Sequence, residues 1–233
     1  HVTSATALVL PAARIIRELE ARGVDTFVDG AHAPGMVPLN LKKLAPAYYT
    51  ANLHKWVCAP KGAAFLWVRE DRQAELQPAI ISHGNNTPRP GFSPFQDRFD
   101  WAGTCDPSAW FCAAEAICWM EQVHPGGWPA IRQANRDLVL RARQLLCEQL
   151  QVEAPCPPSL LGSIATLPLP QRFQGAPRNG KIDPEQLRLY DEFGIEVPFF
   201  RIGQPERRFF RISAQLYNSL AEYEYLAQAL RRL

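Results

Sequence analysis

A chain of 233 residues that is 47% apolar and 21% charged has the length and composition to bury a core of its own, as globular proteins do. Its formal charge of +2, carried by basic residues scattered along the chain, argues against nucleic-acid or anionic-membrane binding, and no apolar run approaches the ~20 residues of a membrane span. The six cysteines show no CxxC pair and no Cys/His metal spacing, so no metal site is expected and the thiols are predicted to be reduced and buried, in a cytoplasmic protein.

The chain opens at His1-Val2-Thr3-Ser4 in what reads as the middle of a sheet, without an initiator Met or a basic leader, and is expected to be a fragment. Residues 11–22 predict a helix: Pro11 suits its first turn, Ile15, Ile16 and Leu19 share a face, and Gly23 ends it. An apolar strand over 24–28 runs into Asp29, and further strands are expected over 47–51 and 63–68, the last after the Pro60-Lys61-Gly62 turn. Helix, tight turn, strand and an acid at the strand's C-terminal end are the layout of a parallel α/β sheet at its ligand crevice.

The stretch 82–98, rich in Gly, Pro, Asn and Ser, is too long for a plain connection and reads as a functional or disordered loop. Asp106-Pro107 opens a helix to about residue 123, with Asp106 as cap and Pro107 in the first turn. The Pro125-Gly126-Gly127 break is the expected domain boundary, dividing 1–124 from 125–233. Beyond it the pattern is a helix over 128–151, a Pro-rich hinge over 155–158, strands over 163–168, 195–199 and 208–213, and helices over 184–193 and 219–233, an α+β layout.

The chemistry-bearing residues cluster in three places. Val28-Asp29-Gly30-Ala31-His32 puts an acid at a strand end with a histidine three residues on, and Asn52-Leu53-His54-Lys55-Trp56 follows the next strand. A free lysine amine, with an ordinary pKa of about 10.4, is mostly protonated at neutral pH, so a reactive one must be desolvated or near positive charge. Leu53 and Trp56 suit such shelter for Lys55; Lys61, in its Pro-Gly turn, is the competitor. Near the end, Phe210-Arg211-Ile212-Ser213 alternates, which sets Arg211 on the opposite strand face from its apolar neighbours. A forked guanidinium there suits a carboxylate held by two parallel hydrogen bonds.

These segments, with Ala59-Pro60-Lys61-Gly62, Ser82-His83-Gly84, Trp101-Ala102-Gly103-Thr104 and Arg211 through Asn218, resemble the class V aminotransferase family of fold-type-I pyridoxal-phosphate enzymes, most of all its isopenicillin N epimerase-like branch. The resemblance covers essentially the whole chain. It implies the C-terminal part of a large α/β domain with the cofactor site, followed by a smaller α+β domain. It implies pyridoxal 5'-phosphate as cofactor, an amino-acid substrate, and a homodimer with sites at the subunit interface, so that apolar surface should be exposed on this chain.

Residue by residue, the resemblance makes Lys55 the Schiff-base lysine and the base that moves the substrate's α-proton, and Asp29 the acid beside the pyridine nitrogen. His54 is similar to the histidine that donates to the cofactor phosphate, with Asn52 nearby where relatives carry a serine. His32 is similar to the residue that reaches the phenolic oxygen, Thr104 to a threonine that reaches the phosphate of a neighbouring subunit's cofactor, and Arg211 to the arginine that grips the substrate carboxylate. Arg201, Arg207 and Arg208 read as surface or supporting groups.

The chain departs from the family at three points. The N-terminal part that normally supplies the phosphate-cradling turn and the stacking ring is missing. Cys105 stands where close relatives carry arginine. The stretch Arg201-Ile202-Gly203-Gln204-Pro205-Glu206 lacks the nucleophilic cysteine that a cysteine desulfurase carries shortly before this arginine. The expected activity is therefore chemistry at the α-carbon of an amino acid: epimerisation, transamination or elimination. A cysteine desulfurase or selenocysteine lyase ranks below it, as does a degenerate, non-catalytic member of the family.

Overall fold

The computed structural model describes residues 1–87, 89–175 and 182–233. They form two compact units, one built from residues 1, 11–34 and 38–120, the other from 2–10, 35–37 and 121–233.

The first unit begins with helix α1 (Ala12–Glu20), whose apolar positions fall on one side so that Ala12 and Ile16 are buried. Strand β1 (Phe27–Asp29) follows, then the single turn α2 (Leu41–Leu44), β2 (Tyr48–Asn52) and β3 (Ala64–Val68). The sheet order is β1-β2-β3, with β1 parallel to β2 in the register Asp29↔Thr50, and β2 antiparallel to β3 in the register Asn52↔Ala64. The expected parallel sheet is thus mixed: the eleven residues 53–63 between the strands hold turns and no helix, and return β3 beside β2 in the antiparallel sense, because a parallel return needs a longer crossover. Strand β1 is shorter than the 24–28 run because the Val24 amide is spent on the Leu19 carbonyl, closing α1.

In the 82–98 stretch the described residues are 82–87 and 89–98. A 3-10 turn over His83–Asn85 precedes helix α3 (Pro94–Asp100), which Ser93 and Gln96 start with a reciprocal capping box. Helix α4 (Ser108–Val123) opens where Asp106 accepts the Ser108 amide at 2.9 Å. It is apolar nearly all round, yet only Ala113 and Met120 are buried, and Trp110, Phe111, Ile117, Trp119 and Val123 are exposed.

In the second unit the sheet order is β4-β6-β5, with β4 (Ile164–Pro168) and β5 (Phe199–Ile202) both antiparallel to the central β6 (Arg207–Ser213). Helix α5 (Gly127–Leu150) buries Ile131, Asn135, Val139, Ala142, Leu146 and Leu150, one stripe at three- and four-residue spacing. It packs on β4, which is buried along its whole length, and on α7 (Leu220–Arg232). Helix α6 (Pro184–Phe193) ends at Gly194, where the Ile195 amide folds back onto the Leu189 carbonyl. That bond takes Ile195 out of the ladder, so β5 starts at Phe199 instead of 195.

Two sequence expectations are corrected here. None of the six cysteines, all among the described residues, is in a disulfide; but Cys58, Cys105, Cys112 and Cys118 are exposed and Cys147 and Cys156 half-buried, Cys112 and Cys118 because α4 is covered on one side only. Arg208 is a core residue, 1% exposed, where a surface or supporting role was expected. It follows from alternation along β6, which places Arg208 on the face of Phe210 and Ile212. Its charge is met by Asp183, by Glu185 at 2.5 Å, and by the Phe173 carbonyl at 2.5 Å.

Candidate active site

In the first unit the parallel pair β1 and β2 ends at Asp29 and Asn52. The Gly30 amide extends that ladder by one bond, to the Thr50 carbonyl at 2.8 Å. The chain then turns sharply: Asp29 Oδ1 accepts the Ala31 amide at 2.9 Å and the Ala33 amide reaches the Gly30 carbonyl. An aspartate that caps its own turn holds both the carboxylate and the following residues in place. The next side chain out of this turn is His32.

From the neighbouring strand, residues 53–59 form a closed loop. Its ends meet through the Ala59 amide and Leu53 carbonyl at 3.0 Å, and the Leu53 amide is tied to the Ala63 carbonyl. Leu53, Ala59 and Ala63 pack against Ala109, Ala113 and Ala116 of α4, while Trp56 and Val57 are buried beneath the loop. Small residues at those contacts let loop and helix approach closely, so the loop is a rigid platform for Lys55. Its Nζ lies 3.3 Å from His32 Nε2. Lys55 is half-buried and Lys61 is exposed, so only the former has shelter.

His54 and Asn52 are half-buried beside Lys55 in sequence, and His54 Nδ1 is buried with no hydrogen-bond partner among the described residues. A buried imidazole nitrogen left in that state is costly unless a ligand completes it. Tyr49, fully buried, lies under the turn and bonds His1 Nδ1 through its hydroxyl at 2.9 Å. Burial, aided by the Asp29 charge, raises its phenol pKa well above the ordinary value. Thr104 is exposed on the segment leading to α4. The same unit holds a cavity of ≈ 430 Å³ lined by His83, Gly84, Thr87, Arg89, Asp97 and Trp101.

Arg211 belongs to the second unit, on β6 opposite Thr166. Its Nη1 donates to the Ser4 carbonyl at 2.7 Å and to the Ser4 hydroxyl at 2.9 Å, and its guanidinium carbon is 5.6 Å from the centre of the Phe200 ring. Burial lowers its pKa, and its buried Nε has no partner among the described residues. Ser4 was not foreseen as its anchor, since nothing local connects residues 207 positions apart.

A family model for aminotransferase class-V matches residues 1–168. The chain belongs to that family, whose members depend on pyridoxal phosphate. It is 35% identical over 247 residues to isopenicillin N epimerase of Streptomyces clavuligerus, covering 100% of this chain and 58% of that protein. It is also 30% identical to a putative L-cysteine desulfhydrase of Oryza sativa subsp. japonica, again covering 100% of this chain but 50% of the relative. The chain therefore spans between half and three-fifths of the length of these relatives. Among solved structures, a cysteine desulfurase from Thermococcus onnurineus superposes with a TM-score of 0.77 at 21% identity, over 100% of this chain and 58% of that one. The fold is accordingly the C-terminal part of the fold-type-I architecture.

Proposed function

We propose that this chain carries the lysine-bearing part of a pyridoxal-phosphate enzyme acting at the α-carbon of an amino acid. The observation that carries the reading is the contact between Lys55 and His32 at the end of β1 and β2, in a chain of the class-V family. The residues fit the cofactor on their own chemistry: a sheltered amine, a strand-end carboxylate fixed by its own turn, and the buried Nδ1 of His54, which has no partner among the described residues.

When bound, the cofactor supplies an electron sink that acidifies the substrate's α C–H bond. Lys55 would hold the cofactor through its aldehyde and would be the base that moves the substrate's α-proton. Asp29 holds a proton on the ring nitrogen by charge pairing. His54 and Asn52 serve the phosphate, His32 the phenolic oxygen, and Thr104 the phosphate of a second subunit's cofactor in a homodimer. Arg211, oriented by Ser4, binds the substrate carboxylate. The first relative's name favours epimerisation as the outcome; elimination from cysteine is the second reading, favoured by the rice relative.

Among the described residues no helix is long and apolar enough to cross a membrane and no group of three or more His, Cys, Asp or Glu side chains is placed to hold a metal ion. A cytoplasmic setting remains our inference from the cysteine pattern.

The test is borohydride reduction of the protein incubated with pyridoxal phosphate, followed by peptide mass mapping. Pyridoxyl label is expected on Lys55 and absent in Lys55→Ala. Label confined to Lys61, or none anywhere, would overturn the assignment.

A further inference from the structure

We propose that His32 is the proton partner of Lys55: the imidazole takes a proton from the ammonium as the amine attacks a carbonyl, and returns it when the amine is released. This deepens the reading above and rests on it for the identity of the natural carbonyl, but the pair itself is independent of the cofactor.

Two nitrogens 3.3 Å apart share a hydrogen bond in only two ways. Either the ammonium donates to a neutral imidazole, or Nε2–H donates to a neutral amine. The doubly protonated pair has no acceptor and sets two cations side by side, so protonation of one disfavours protonation of the other. In the productive direction the Nζ–H bond breaks, its electron pair stays on Nζ as the nucleophilic lone pair, and the Nε2–H bond forms. As Nζ bonds the carbonyl carbon the C=O π pair passes to the oxygen, which leaves as water when the imine forms, and water re-enters to release the amine; nothing is oxidised.

The geometry suits that exchange because both partners are held from behind. His32 leaves a turn fixed by Asp29 and by the Gly30–Thr50 bond, and Lys55 leaves a loop closed on itself and packed against α4. Among the described residues, titratable groups at this end of the strands include Asp29, whose Oδ1 is spent on the Ala31 amide; the His1 amine on the Asp29 carbonyl; Tyr49 with the His1 ring on its hydroxyl; and His54, next to Lys55 in the loop.

The test uses glycolaldehyde with cyanoborohydride, a carbonyl with no phosphate or ring, so that cofactor binding plays no part. Labelling of Lys55 relative to the exposed Lys61 is read by mass spectrometry at several pH values. His32→Gln, which keeps a hydrogen bond but cannot titrate, is expected to lower the Lys55/Lys61 ratio at pH 7 by about tenfold, a modest share of what positioned acid–base groups give. An unchanged ratio overturns the proposal.

A second measurement stands even if that variant folds poorly. The His32 side-chain 15N titration in Lys55→Met should move up by about one pH unit relative to the unsubstituted chain, the effect of removing a neighbouring cation. A midpoint that stays put counts against the pair. Should both results come out as expected while pyridoxal phosphate is never trapped on Lys55, the pair stands and the cofactor reading falls.

Discussion

The ring of Tyr49 fills the space that any side chain at position 30 would need: a Cβ built on Gly30 would lie 2.1 Å from the ring's Cζ. The glycine between Asp29 and Ala31 is therefore required by a close approach of β2 to the turn, and the turn's position is set by an aromatic residue in the next strand. Gly30→Ala should cost about 1–3 kcal/mol, the range for overpacking a well-filled site. In a Tyr49→Val background the penalty should largely vanish, giving a coupling that thermal denaturation of the four variants measures.

Arg208 binds two carboxylates inside the second unit. Burial raises the Asp183 carboxyl, as does its hydrogen bond with Glu185; burial pushes Glu185 up as well, but there the hydrogen bonds from Arg208 and Asp183 outweigh it and hold the carboxyl low. Removing the cation leaves both acids without a counter-charge. Arg208→Met should destabilise by about 3–5 kcal/mol, the cost of breaking a buried pair from one side. Adding Asp183→Asn and Glu185→Gln should recover part of it, as urea denaturation would show.

Tyr223 links α7 to the end of β6 through its hydroxyl on the Ser213 carbonyl at 2.7 Å. Burial, with smaller contributions from Glu222 and Tyr217, raises its pKa to about 12. A raised folded-state pKa means stability that is whole below the unfolded value near 10 and lost as pH climbs through about 12. Denaturant midpoints should therefore fall across that alkaline window, and less steeply in Tyr223→Phe. Equal slopes in the two proteins would refute this.

Helix α4 exposes Trp110, Phe111, Ile117 and Trp119 while its opposite side packs on the Lys55 loop. Exposed apolar side chains of that size on one helix favour association with a second copy of the chain. Sedimentation should show concentration-dependent self-association that Phe111→Glu with Trp119→Glu abolishes. A chain that stays monomeric at every concentration would speak against it.

Much of this was legible in one dimension because the signals are local. Apolar spacing marked α1, proline and aspartate marked the starts at Pro11 and Asp106, and the strand-end acid with its following histidine marked the turn that holds Asp29 and His32. The motifs around Asp29, Lys55 and Arg211 carried the resemblance to the class V family, which the family model over residues 1–168 bears out. Periodicity also held the answer for Arg208, whose place on the Phe210 face of β6 was readable although charge alone suggests a surface.

Three features were settled only by folding. The approach of Lys55 to His32 spans 23 positions and depends on two strands ending side by side. The Ser4 anchor of Arg211 spans 207, and the need for glycine at 30 exists only once Tyr49 lies beneath it. Residue type and spacing determine which groups are present and which element carries each, through side-chain shape and backbone propensity. Which of them touch is decided by strand register and packing, where distances of an ångström separate a contact from a clash.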